Sequence, residues 1–181
     1  MRNTRTIEAS PRAWLTSLIA LLALPAALLA VPAAANATGK NSVVMSVELA
    51  ASPKDVWQMV GPFDKLQGWH PAVASTTMDG SPTQPGAVRV LHLNGGGDIK
   101  EKLTSYSDSD TRMTYEILES PLPVANYESF IAITDAGAGH SLVIWGSNFD
   151  AAGGATDAKA KSVIQGIYQA GFDTLRKKFG K

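Results

Sequence analysis

Between Thr156 and Phe179 apolar residues return every three or four positions: Val163, Ile164, Ile167, Tyr168, Gly171, Leu175 and Phe179. That spacing lines one side of an α-helix. Lys161, Gln165, Gln169, Asp173 and Lys177 fall mostly on the other side. Thr156 or Asp157 is suited to cap the start, Arg176–Lys178 suit the negative end of the helix dipole, and Gly180 is a natural stop. About six turns of helix cross a small domain, and a one-sided stripe of that length needs a broad apolar surface to cover. Two readings follow: a lid over a solid core, or a helix and sheet enclosing a cavity. Gly166 and Gly171 each cost roughly 1 kcal/mol against Ala inside a helix, so each points to room or close approach at its position.

The segments before the helix supply the sheet. Ser42 to Ala50 alternates around Val43, Met45, Val47 and Leu49 and reads as a first strand. Ser52-Pro53-Lys54-Asp55 opens a helix, with Ser as cap and Pro in the first turn. Gly61-Pro62 ends it, and Phe63 to Trp69 predicts a second short helix or a turn of one. Strands follow at Val73–Met78, Ala87–Leu93, Asp98–Ser105, Thr111–Leu118, Tyr127–Thr134 and Ser141–Phe149, separated by Gly, Pro, Asn and Asp clusters. The links are of hairpin length, which predicts antiparallel pairing. The expected fold is therefore α+β: a curved antiparallel sheet of about seven strands around a long C-terminal helix, with two short helices after the first strand. Residues 38–181 form one domain by length.

Residues 1–37 have a different character. Arg2, Arg5 and Arg12 precede an apolar run from Leu15 to Val31, and Ala35-Asn36-Ala37 fits a small-residue cleavage site. This is the form of a secretory signal peptide, with cleavage near Ala37/Thr38 and a periplasmic or secreted destination. The alternative is a single membrane anchor, since the run approaches spanning length.

Of 16 Lys+Arg and 16 Asp+Glu, three Arg and one Glu lie in that segment, leaving the rest near −2. Such a balance offers no basic face for nucleic acid. The chain has no cysteine, hence no disulfide, thiolate metal site or thiol nucleophile. His70, His92 and His140 share no metal-ligand spacing, and no cofactor or metal is expected. Asn94-Gly95-Gly96-Gly97 is followed by a strand, not by the helix that a phosphate loop requires. No G-x-S-x-G elbow is present, so a hydrolase triad is not supported.

Strand alternation sets candidate cavity residues. Ile99, Glu101 and Leu103 share one face, with Lys100 and Lys102 opposite. The apolar members take Glu101 inward with them. By the same parity Met113, Tyr115 and Ile117 face in, as do Tyr127, Ser129, Ile131 and Ile133. A carboxylate among apolar neighbours must be hydrogen-bonded, paired or protonated. Glu101 therefore either anchors a ligand or serves as general acid or base, or it simply pairs with Arg89 on the neighbouring strand or with water at the rim. Trp69 reads as a core aromatic and His70 as a surface residue, with reach to a cavity mouth as the alternative. On the last strand Trp145 and Phe149 share one face, and Leu142, Ile144, Gly146 and Asn148 the other; parity alone does not say which is inward.

The element order, Ser52-Pro53-x-x-Val56-Trp57, Gly61-x-Phe63 leading to Trp69-x-Pro71, Gly86-x-x-Arg89, Glu101-x-Leu103, Asn126-Tyr127 and the closing helix together resemble the helix-grip superfamily. That superfamily includes START lipid-transfer domains, pollen allergens and bacterial polyketide cyclases. The resemblance covers essentially all of residues 38–181 and is nearest to small exported bacterial members of the polyketide cyclase-like or MxaD-like kind. The middle strands are also similar to plant abscisic acid receptors. There Glu101 and Tyr127 match cavity-facing positions, Asn94, Gly95, Gly96 and Gly97 stand at the gate loop, and Pro121, Leu122 and Pro123 stand at the latch loop, without the latch His.

Residues and resemblance together lead to an expected site of Trp69, Arg89, Glu101, Tyr115, Tyr127, Ile131, Ile167 and Gly171, flanked by the two loops. The leading expectation is an exported protein that binds a small apolar or amphipathic molecule between sheet and helix. The alternatives are a cyclase or dehydratase using Glu101 with Tyr127 or Tyr115, and, as the resemblance implies, an accessory partner of an exported redox enzyme.

Overall fold

The structure is a computed structural model that describes residues 39–180. Residues 1–37, expected to be a signal peptide, lie outside the described residues. Seven strands and two α-helices follow in the order β1 (Asn41–Leu49), α1 (Pro53–Val60), β2 (Val73–Asp79), β3 (Val88–Leu93), β4 (Asp98–Ser107), β5 (Arg112–Glu119), β6 (Val124–Gly137), β7 (His140–Ala151) and α2 (Asp157–Phe179). All pairings are antiparallel, in the spatial order β1-β7-β6-β5-β4-β3-β2. β1 and β2 are thus the two edges of one sheet. The chain between them, carrying α1, must pass from one edge to the other.

Local chemistry sets the helix ends. Ser52 Oγ accepts the Asp55 backbone N–H at 3.2 Å, with Pro53 in the first turn. Thr156 Oγ1 accepts the Lys159 N–H at 3.2 Å, and Arg176, Lys177 and Lys178 occupy the last turn of α2. α2 packs on β1 and β7. Its buried stripe is Ala160, Ile164, Tyr168, Gly171, Phe172 and Leu175, while Val163 and Ile167 are half-buried. Phe172 thus joins a stripe from which the sequence reading omitted it.

The segment expected as a second short helix or a turn of one is a single 3-10 turn, Leu66–Gly68, confined by Pro62 before it and Pro71 after it. Two details differ from expectation. β6 begins at Val124, before Tyr127, because a bulge between Ala125 and Glu128, with Asn126 at φ 50°, lets the strand re-pair with β7. Gly166 has nothing within 4 Å of a would-be Cβ, so its small size serves no neighbour. The last strand is also settled. Val143, Trp145, Ser147 and Phe149 face the core. Gly146 is on the outer face, where a Cβ would stand 2.5 Å from the Phe130 ring. Among the described residues no helix is long and apolar enough to cross a membrane.

Candidate functional site

Between the inner face of the sheet and α2 lies a partly open cavity of about 150 Å³. The sheet contributes Leu91 and Leu93 from β3, Ile99 and Glu101 from β4, Tyr115 and Ile117 from β5, Tyr127 from β6 and Trp145 from β7. Ile164 and Ile167 of α2 form the opposite wall, and Leu66, His70, Ala72, Val73 and Leu122 close the ends. Alternation explains the wall: every second residue of each strand points to the same face.

Arg89 and Glu101 are cross-strand partners on β3 and β4. Arg89 Nε donates to Glu101 Oε2 at 2.6 Å, and Arg89 Nη1 donates to the Phe63 carbonyl at 2.7 Å. The guanidinium lies 3.9 Å from the Phe63 ring centroid, a cation–π arrangement that favours Arg over Lys. Burial pushes the Glu101 carboxyl up, and the Arg89 charge and hydrogen bond oppose it. Because Arg89 is 2% exposed and permanently charged, it needs Glu101 as its counterion.

A second polar chain crosses the core. The Tyr127 and Tyr168 hydroxyls are 2.8 Å apart. Ser129 Oγ donates to the Gly146 carbonyl at 2.9 Å and lies 3.4 Å from the Tyr168 hydroxyl. Trp145 Nε1 donates to the Tyr115 hydroxyl at 2.9 Å, and the Trp145 ring stacks on Tyr168 at 4.2 Å. Burial drives the Tyr115 and Tyr127 hydroxyls well above the usual tyrosine range. The protonated hydroxyl is therefore the favoured form of both, and in that form each is a hydrogen-bonding group.

His70 is the main residue that sequence reasoning misplaced. It is 4% exposed and lines the cavity. Its Nε2 donates to the Ile167 carbonyl of α2 at 2.9 Å, and its Nδ1 accepts the Ala72 N–H at 3.3 Å. This arrangement requires the neutral ring. The neighbouring Trp69-x-Pro71 pattern was the available signal, since it ties the segment to the core. Trp69 itself packs edge-on against Trp145, with ring centroids 5.4 Å apart. A Cβ on Gly171 would come within 2.9 Å of Trp69, 3.0 Å of Trp145 and 3.2 Å of His70. Gly171 therefore admits the rings to the helix backbone.

Of the expected site residues, Glu101, Tyr115, Tyr127 and Ile167 border the cavity. Arg89 stands behind Glu101, Ile131 is packed in the core at 1% exposure, and Trp69 and Gly171 support the wall from outside it. The two loops meet. Asn94 bonds the Pro71 carbonyl through Nδ2 at 2.8 Å, and a Cβ on Gly97 would be 3.7 Å from Pro121 Cγ. Gly95, Gly96 and Gly97 all have φ between 91° and 97°, a region that favours glycine. Pro123 leads directly into β6. Beside this loop an open cleft of about 840 Å³ separates Ile117–Ser120 from Val124–Tyr127, where the β5–β6 ladder has ended at Glu116 and Glu128.

Comparison with known proteins identifies the kind of fold that carries this cavity. Residues 40–180 match the family model described as polyketide cyclase / dehydrase and lipid transport. The chain belongs to this family. Among solved structures, the chain is similar to the protein XoxI from Bacillus cereus, at 32% identity and TM-score 0.71, covering 76% of this chain and 94% of that one. A putative uncharacterized protein from Bacillus thuringiensis is 30% identical with TM-score 0.72, covering 78% and 100%. The Zhui aromatase/cyclase from Streptomyces sp. R1128 shares the fold at 14% identity and TM-score 0.62, covering 76% and 92%. No match to a curated protein was found. The seven-stranded antiparallel sheet and long C-terminal helix are the helix-grip architecture, here in a member of the polyketide cyclase / dehydrase and lipid transport family.

Proposed function

We propose that the protein is exported and binds a small apolar molecule between its sheet and C-terminal helix. The observation that carries this reading is the largely apolar, partly open pocket with Glu101 in its wall. Such mostly apolar lining with a few placed polar groups is the usual make-up of a small-molecule site. The buried groups around it are held by one another: Arg89 by Glu101, Tyr127 by Tyr168, and His70 by Ile167 and Ala72. The wall is thereby built before a ligand arrives, which lowers the ordering cost of binding. Export rests on Arg2, Arg5, Arg12, the Leu15–Val31 run and Ala35-Asn36-Ala37.

The test is native mass spectrometry of protein purified from the periplasm, repeated after denaturing extraction. A retained small molecule, and an N-terminus near Thr38, are the expected results. Protein found only in the cytoplasm with residues 1–37 attached would remove the export part. An empty protein that also fails to respond to any apolar compound in a thermal-shift screen would remove the binding part.

One observation favours a catalytic second reading. Glu101 borders the cavity with a carboxyl that burial pushes upward, as general acids and bases often are. If that reading holds, Glu101→Gln, in protein shown to remain folded, loses turnover of the bound molecule by a much larger factor than it loses affinity for it. Retained turnover in that variant would exclude Glu101 as the acid or base.

A further inference from the structure

The cavity wall also restricts the chemistry of what it takes, granted that it binds a small molecule at all. Its volume is about 150 Å³. An apolar protein cavity of about this size holds one benzene ring. A long acyl chain or a fused-ring polyketide fits only by extending out through the pocket's open side. Tyr115, Tyr127 and Trp145 offer ring faces and edges, while Ile117, Ile164 and Ile167 offer aliphatic contact.

The one charged side chain of the wall, set beside His70 and the Tyr115 and Tyr127 hydroxyls, is hydrogen-bonded on one side. Glu101 Oε2 is occupied by Arg89 Nε. Among the described residues no donor meets Oε1. An ionised carboxylate oxygen only accepts hydrogen bonds, so its ligand partner must donate. An anion placed here would face the carboxylate. A cation would face Arg89 behind it and would be costly to desolvate. The remaining class is neutral.

We infer that the cavity takes a neutral single-ring compound carrying one hydroxyl or amine donor, of the phenol class, with the donor directed to Glu101 Oε1. Such a ligand fills the volume, stacks on the aromatic wall and satisfies the oxygen that the fold leaves open. The Arg89–Glu101 pair then acts as a fixed acceptor, oriented before binding, and not as an isolated charge.

The test is calorimetry and thermal shift on the purified protein with phenol, benzene, benzoate, 1-naphthol and palmitate. Phenol should bind and raise the unfolding temperature. Benzene should bind about tenfold more weakly, as expected for loss of one charge-assisted hydrogen bond. Benzoate and palmitate should not bind. Ile167→Phe, which fills the cavity from a half-buried helix position, should abolish phenol binding while the circular dichroism spectrum is kept. The double variant Arg89→Met, Glu101→Leu should bind phenol no better than benzene. Binding of palmitate or 1-naphthol without phenol would overturn this ligand class while leaving the binding reading intact. Equal affinity for phenol and benzene would overturn the role of Oε1. Silence toward every compound in protein that still carries a small molecule from the periplasm would overturn this ligand class alone; silence in protein that is also empty would overturn the binding reading with it.

Discussion

Tyr127 of β6 and Tyr168 of α2 meet hydroxyl to hydroxyl at 2.8 Å, 41 residues apart in sequence and buried on both sides. This contact ties the middle of the sheet to the middle of the helix beside the cavity. Removing the Tyr127 hydroxyl leaves that of Tyr168 with the longer 3.4 Å approach to Ser129 Oγ. Tyr127→Phe and Tyr168→Phe should each lower stability by about 1 kcal/mol. The double variant should cost less than the sum, with a coupling of about 0.5–1.5 kcal/mol in a urea-unfolding cycle. Strict additivity would mean that the two hydroxyls do not bond in solution.

The two helix glycines should respond in opposite directions. Gly166→Ala places a methyl in open, exposed space and should stabilise by about 1 kcal/mol through helix propensity. Gly171→Ala gains the same propensity but drives a methyl against Trp69, Trp145 and His70. Overpacking of this kind costs about 1–3 kcal/mol, so the net should be neutral to destabilising by about 2 kcal/mol. Paired unfolding midpoints of the two variants are the measurement.

Arg89 is the residue whose single loss should do most damage. Arg89→Met leaves the Glu101 carboxyl buried without its partner, a change that typically costs about 3–5 kcal/mol. Adding Glu101→Leu removes the orphaned charge and should recover most of that loss. Chemical denaturation of the single and double variants decides it. No recovery would mean that Arg89 acts chiefly through Phe63 and not through Glu101.

His70 supplies a pH dependence of defined sign. Burial holds its pKa below the ordinary 6.5; the hydrogen bond to the Ile167 carbonyl works the other way, and Arg89 adds repulsion. The unfolded chain therefore takes up the proton first. The contribution is fully present above 6.5 and is lost as the pH falls from 6.5 toward the lower folded value. Protonation also converts Nδ1 from acceptor to donor, which breaks its bond from the Ala72 N–H. Urea midpoints should fall between about pH 7.5 and about pH 5.5, and His70→Gln should flatten that slope. An equal slope in the variant would assign the acid sensitivity to other groups.

Much of the architecture was legible from local pattern. The period of the Ile164–Tyr168–Leu175 stripe, the Ser52 and Thr156 caps and the alternation around Glu101, Tyr115 and Tyr127 are determined within a few residues of chain. They correctly placed the strands, the long helix and the inward parity of β4, β5 and β6. The inward side of β7 was not legible, because Trp145/Phe149 and Leu142/Ile144 are apolar on both faces. It was decided by registry: Gly146 lies opposite Phe130 and Val44, and that close pairing is possible only on the outer face.

The sequence by itself therefore determined an α+β chain with a one-sided helix, an inward carboxylate and an Arg89 near enough in strand order to meet it. Only the tertiary structure decided that Arg89 takes one oxygen of Glu101 and leaves the other, that His70 is buried between a loop and α2, and that the cavity has room for a single ring. The physical reason is that spacing specifies which face a side chain occupies, but not how far the opposing elements stand apart. That separation is set by long-range packing of Trp69 and Trp145 against Gly171, contacts between residues distant in the chain that no local pattern encodes.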